Sequence, residues 1–154
     1  CHLYERNMGL PVVSLRYFTV YGPRQRPDMA FHRFLKAARD GRPVTVYGDG
    51  RQTRDFTYVD DILEATRAAA ERGRPGAAYN VGGGERVAIA DVLRLVEEVS
   101  GRRLEVRHDE AQKGDMRDTF ADTTAAARDL GFKPTVPLRE GLRREWLWLK
   151  EADS

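Results

Sequence analysis

Apolar residues fall along this chain in two rhythms, short nearly continuous runs and stripes at helical spacing, and the two alternate from end to end. Residues 11–20 (PVVSLRYFTV) are almost unbroken apolar sequence rich in β-branched side chains, the pattern of a strand buried on both faces of a parallel sheet. Residues 1–8 before them read as the last two turns of a helix, stopped by Gly9 and Pro11. The chain opens without methionine, so its beginning is expected to lie upstream. After a Tyr-Gly-Pro turn and a polar loop, Phe31, Phe34, Leu35 and Ala38 mark the buried face of a helix that Gly41 ends. Residues 43–47 form a short β-prone run, Gly48-Asp49-Gly50 is a turn, and residues 54–59 are extended again.

Asp60 and Asp61 open the next helix, where capping and the helix dipole account for them. It runs to about Arg72 with Ile62, Ala65 and Ala69 on one face, and residues 73–76 close it. A strand at residues 78–81 follows. Then comes a helix striped by Ile89, Val92, Leu93, Val96 and Val99 and ended by Gly101. Residues 104–107 read as a further strand and residues 123–130 as a helix. A last helix carries Leu138, Leu142, Trp146 and Leu149 on one face, with Trp148 at its edge. Strands and helices alternate throughout, which is α/β architecture, and no Gly- or Ser-rich linker or internal repeat divides it.

Composition narrows the function classes. The chain has 154 residues, 41% of them hydrophobic, enough to build a core. Lys and Arg total 26 against 24 Asp and Glu, for a net charge of +2, and acids are interspersed with the arginines, so no concentrated basic surface for nucleic acid is expected. Arginine supplies 22 of the 26 cations, and its planar fork suits carboxylates and phosphates. The single cysteine, Cys1, excludes an intramolecular disulfide, no Cys or His cluster has metal-ligand spacing, and no apolar run is long enough for a membrane span, so a cytoplasmic protein is expected. His2, His32 and His108 are scattered and read as solvated or packed.

Three segments concentrate residues suited to ligand chemistry. The first, RYFTVYGPRQRPDMAF at residues 16–31, is a strand end followed by a turn and a loop with two arginines, and strand ends of this kind build ligand sites. The second, VYGDGRQTRDFTYVDD at 46–61, sets Tyr47 and Arg54 on either side of a tight turn. There a ring can lie against a base while a guanidinium forks onto phosphate oxygens. The third, QKGDMRDTFAD at 112–122, includes Asp115, a suitable acceptor for ribose hydroxyls. Gly82 and Gly84 also follow a strand and precede a helix, but Val87 stands where a G-x-G-x-x-G loop needs its third glycine. This stretch reads as a flexible connection instead.

In this order, with Asn80-Val81-Gly82 between the second and third, these segments resemble the nucleotide-sugar epimerases and dehydratases of the extended short-chain dehydrogenase/reductase (SDR) superfamily, across essentially the whole chain. The family pattern is an RxFNxYGP-like strand end, a VYGDGxQxRDFxYVDD-like segment, NVG, and GDxxxxxAD. The resemblance implies an α/β fold, the carboxy-terminal portion of a Rossmann-type extended SDR fold: the last parallel strands plus a small α/β substrate-binding domain. Residues 1–154 are expected as a single unit, with the amino-terminal NAD-binding Rossmann domain absent from the chain. Tyrosines stand at 4, 17, 21, 47, 58 and 79, and none has lysine four residues later. The family's Tyr-x-x-x-Lys proton-transfer pair is therefore missing, as is its Gly-rich dinucleotide loop, and the chain alone is expected to be inactive, with no catalytic residue of its own.

The resemblance also implies roles. Tyr17 and Phe18 match positions whose backbone meets the nicotinamide end of NAD, a cofactor held mainly by the missing half. Thr19 stands where the family most often has asparagine, at a position touching the sugar or diphosphate; its shorter side chain leaves room and a donor for a more acidic group. Thr19 together with Arg26-Pro27-Asp28-Met29-Ala30 is similar to the UDP-glucuronate 4-epimerases. Ala30 and Phe31 match backbone contacts to the nucleotide, and Thr45 and Tyr47 the uracil-side wall. Arg54 matches the phosphate-binding arginine, and Gln112 and Asp115 the phosphate and ribose pair, although many members have arginine at the place of Gln112. The implied parent is a homodimeric NAD-dependent 4-epimerase of a UDP-hexuronate or UDP-hexose. A dTDP-glucose 4,6-dehydratase, a non-catalytic nucleotide-sugar-binding module and an RNA-binding relative are the alternatives.

Overall fold

A computed structural model describes residues 2–110, 114 and 116–152. Their elements run α1 (His2–Met8), β1 (Ser14–Tyr17), β2 (Val20–Tyr21), α2 (Ala30–Asp40), β3 (Val44–Tyr47), β4 (Thr53–Asp55), β5 (Thr57–Tyr58), α3 (Val59–Arg72), β6 (Ala78–Val81), β7 (Arg86–Ala88), α4 (Ile89–Ser100), β8 (Val106–Asp109), α5 (Thr124–Leu130) and α6 (Leu138–Ala152). The alternation read from the apolar pattern is present, and Gly41 and Gly101 end α2 and α4 as expected. No helix among the described residues is long and apolar enough to cross a membrane.

The chain forms two compact units. Unit 1 is built from Cys1–Val20, Asp55–Glu85 and Phe120–Val136, and unit 2 from Tyr21–Arg54, Arg86–Thr119 and Pro137–Ser154. Because each is assembled from three separate segments, no linker marks either one in the sequence.

In unit 1, β1 and β6 pair in parallel, from Ser14 against Ala78 to Tyr17 against Val81. The Ser14 N–H to Ala77 carbonyl and Phe18 N–H to Val81 carbonyl bonds, both 2.9 Å, extend the ladder. Ile62, Ala65, Ala68 and Ala69 of α3 pack with Tyr79, Val81, Ala126, Leu130 and Phe132 into one core, and Val13, Leu15 and Val20 lie partly buried against it. The expectation of a strand buried on both faces is corrected here: no residue of 11–20 is fully buried, and Arg16 and Tyr17 are exposed. Alternation turns Val13 and Leu15 toward the core and Arg16 away from it, and on that other face nothing among the described residues buries the guanidinium.

In unit 2, β3 and β8 pair in parallel, from Val44 against Val106 to Tyr47 against Asp109. Strand β8 starts two residues later than its sequence suggested, because the Glu97 carboxylate accepts the Leu104 N–H at 2.8 Å and holds Leu104 in the turn after α4. All four β8 side chains are exposed, so no alternation announced it. Helices α2, α4 and α6 pack against one another. Their stripes, Phe31, Phe34, Leu35 and Ala38, then Val92, Leu93 and Val96, then Leu142, Trp146 and Leu149, are buried.

Candidate functional site

The second and third ligand-suited segments meet in unit 2. Thr53 of β4 donates its N–H to the Arg117 carbonyl (2.9 Å) and accepts the Thr119 N–H (3.1 Å), while its hydroxyl bonds the Asp118 carboxylate. Arg54 reaches the same strip: its Nη1 donates to the carbonyls of Thr53 (2.8 Å) and Arg117 (3.2 Å), which fixes the plane of the guanidinium. Gln112 and Asp115 lie outside the described residues. On β3, Val44 and Val46 are buried and Thr45 and Tyr47 half-buried, so alternation puts the last two together on the opposite face, as a wall requires. Gln52 donates to the Tyr47 carbonyl (2.8 Å) and braces the intervening turn.

The loop from Gly22 to Met29 precedes α2. Arg26 is three-quarters exposed and bonded to the Asp28 carboxylate (3.1 Å), a solvated pair of little strength that an anionic ligand would displace readily. Phe31 has its ring in the core, edge-on to Tyr21 with centroids 4.9 Å apart, and so offers a ligand only its backbone, as does Ala30 beside it. Gln25 accepts the His32 N–H (3.0 Å), standing in for a side-chain cap that Met29 cannot supply. His32 is buried beside Trp148, whereas His108, exposed on β8, lies 2.9 Å from the Gly48 carbonyl.

Tyr17, Phe18 and Thr19 belong to unit 1. The Phe18 N–H is engaged by Val81 and the Thr19 carbonyl accepts the Thr57 N–H (2.9 Å), so both backbones are fixed by the sheet. The Tyr17 hydroxyl meets the Thr66 hydroxyl at 2.8 Å, and the ring stays 47% exposed, available to a planar ligand.

Of three buried acids, Asp55 and Glu145 carry no role in the sequence reading, and Asp61 stands in it only as a helix-start residue. Asp55, wholly buried, accepts the N–H groups of Gly83 (2.6 Å) and Ala121 (3.0 Å), and burial pushes its carboxyl up against these bonds. The glycines after β6 are therefore not a flexible connection: a Cβ on Gly82 would collide with Ala121 and one on Gly83 with the Phe56 carbonyl. Their service is close approach to Asp55. Asp61 is not a helix cap either; it stands in the first turn of α3, which starts at Val59, and accepts from the Thr135 N–H (3.0 Å), the Thr135 hydroxyl (2.8 Å) and the Val136 N–H (3.3 Å). Glu145 is buried in α6, and burial pushes it up to about 8. Its position was legible: three residues after Leu142 and four before Leu149, it falls on the apolar stripe.

The model of the NAD dependent epimerase/dehydratase family matches residues 1–82, just over half of the chain. The chain belongs to the NAD-dependent epimerase/dehydratase family. Among relatives in this family, the uncharacterized UDP-glucose epimerase YtcB of Bacillus subtilis (strain 168) is 42% identical over 97% of this chain and 48% of its own length. A UDP-glucuronate 4-epimerase of Thermodesulfobacterium geofontis (strain OPF15) is 38% identical over 97% of the chain and 46% of its own. The crystal structure of UDP-glucuronic acid 4-epimerase from Bacillus cereus, in complex with UDP-glucuronic acid and NAD, superposes with a TM-score of 0.94 at 44% identity, covering 99% of this chain and 49% of that one. The chain thus spans about half the length of the epimerase/dehydratase relatives it matches.

Proposed function

We propose that the protein carrying this chain is an NAD-dependent 4-epimerase of a UDP-sugar, a hexuronate or a hexose, and that this chain supplies its grip on the nucleotide sugar. The observation that carries the reading is the joining of Arg54 to the strip of residues 117–119 in a chain of this family. In this reading Arg54 meets the diphosphate with charge-assisted bonds, and the Thr45–Tyr47 face of β3 takes the uracil. Arg26 and the backbone at Ala30 and Phe31 complete the nucleotide side, Gln112 and Asp115 hold phosphate and ribose, and the Thr19 hydroxyl faces the sugar.

The half-exposed Tyr17 ring fits a nicotinamide, lying at the carboxyl ends of the parallel pair β1 and β6, where α/β sheets receive ligands. NAD, when bound, would supply a reversible hydride acceptor for C4 of the sugar. This chain's residues hold the UDP moiety while the keto sugar turns. Proton transfer falls to residues outside this chain, since none of its tyrosines is followed by lysine four positions on. The test is epimerisation of UDP-glucuronate and UDP-glucose by the purified full-length protein, followed by separation of the C4 epimers. Interconversion of either is expected, and turnover of neither overturns the reading.

A further inference from the structure

Glu145 sits wholly buried on the apolar stripe of α6. Its Oε2 accepts the Gly22 N–H at 2.9 Å, and its buried Oε1 meets no hydrogen-bond partner among the described residues. An apolar side chain would pack on this stripe without leaving a desolvated oxygen unpaired, so packing of α6 does not account for a carboxyl here.

What the carboxyl holds is the start of a strained turn. Gly22 has φ 134°, and Arg24, two residues on, has φ 69°, a left-handed conformation that side chains other than glycine seldom adopt. One helical turn before Glu145, Gly141 leaves the space that Tyr21 fills; a Cβ there would collide with the Tyr21 hydroxyl and ring. Tyr21 in turn packs edge-on against Phe31. The loop that carries Arg26 is thereby pinned at one end by Gly141 and Glu145 through Tyr21 and Gly22, and at the other by Phe31 in the core.

Resting on the nucleotide-sugar reading above, we propose that Glu145 is a positioning residue for substrate: its carboxyl fastens the Gly22 turn to α6 and so sets where Arg26 and the first turn of α2 meet the ligand. Full-length wild type, E145Q and E145L are compared by calorimetric titration with UDP, by KM and kcat for the UDP-sugar, and by hydrogen exchange at the Gly22 amide. E145Q keeps a neutral acceptor of the same shape and is expected to stay within about twofold of wild type in UDP affinity and KM. E145L is expected to weaken UDP and raise KM by about tenfold, the loss of one well-placed hydrogen bond, with kcat within about twofold and faster exchange at Gly22.

A structural role alone would lower the unfolding temperature and the active fraction while leaving KM unchanged, and that result overturns the proposal. Should E145L not fold, E145M, whose unbranched side chain follows the path of the glutamate, carries the same expectation; rapid exchange of the Gly22 amide in wild type is equally fatal. If wild type binds UDP and E145L binds it as well, only the positioning role falls. If wild type does not bind UDP, the nucleotide-sugar reading falls and takes this one with it.

Discussion

At Arg54 a guanidinium is anchored through Nη1 to the carbonyls of Thr53 and Arg117, which fixes its plane. Arg54→Ala in the full-length protein is expected to remove a charge-assisted contact of about 1.5–3 kcal/mol and weaken UDP about ten- to a hundredfold, read by calorimetry; unchanged affinity excludes Arg54 from the site. Thr19→Asn should act differently. The Thr19 carbonyl is fixed by Thr57, so the substitution changes the side chain alone. It is expected to move preference from UDP-glucuronate toward UDP-glucose with UDP affinity nearly unchanged, and an unmoved preference argues against the hexuronate assignment. Arg54 and Thr19 stand out in the sequence because their motifs occur in the order of the family. Asp55 and Glu145 were missed, because the one signal a buried acid gives is its place on a buried face, Asp55 in register with buried Thr57 and Glu145 between Leu142 and Leu149.

Helices α2 to α6 followed from periodicity, since each buries a stripe against its own unit, whereas α1 buries no side chain. Strands were read less well. Those of the nucleotide side are short, β8 is exposed throughout and β7 has only three residues, so period-two alternation has little room to show. Helix α6 carries a pH dependence that its stripe hides. The Glu145 carboxyl is raised in the folded state to about 8, above the ordinary glutamate value, because burial disfavours its charge. Its stabilising contribution is therefore complete below the unfolded value and is lost as pH rises through that window toward 8, at up to about 1.4 kcal/mol per pH unit. Asp55, raised by the same cause, works in the same direction. Denaturant midpoints of the full-length protein from pH 5 to 8 are expected to fall with pH, and to fall less in E145Q; equal slopes would show that Glu145 titrates normally.

For the molecule as a whole, the nucleotide-side candidates fall in unit 2 and the cofactor-side candidates in unit 1, a division that periodicity could not reveal because each unit draws on three stretches of chain. The 154-residue chain by itself is expected to show neither epimerase turnover nor tight NAD binding, since the glycines after β6 are filled by packing against Asp55 and no tyrosine has its lysine. Turnover of a UDP-sugar by the pure chain would overturn this. The threefold interleaving also governs how the chain is made. Unit 1 lacks its last segment until Val136 has been synthesised, and unit 2 lacks α6 until residues 137–154 follow. As the ribosome delivers the chain, the apolar stripes of α2 and α4 must wait for α6 to cover them, and contacts that span more than a hundred residues, such as Glu145 to Gly22, form last. Late closure of this kind leaves those stripes exposed to aggregation and to chaperones until α6 has been made.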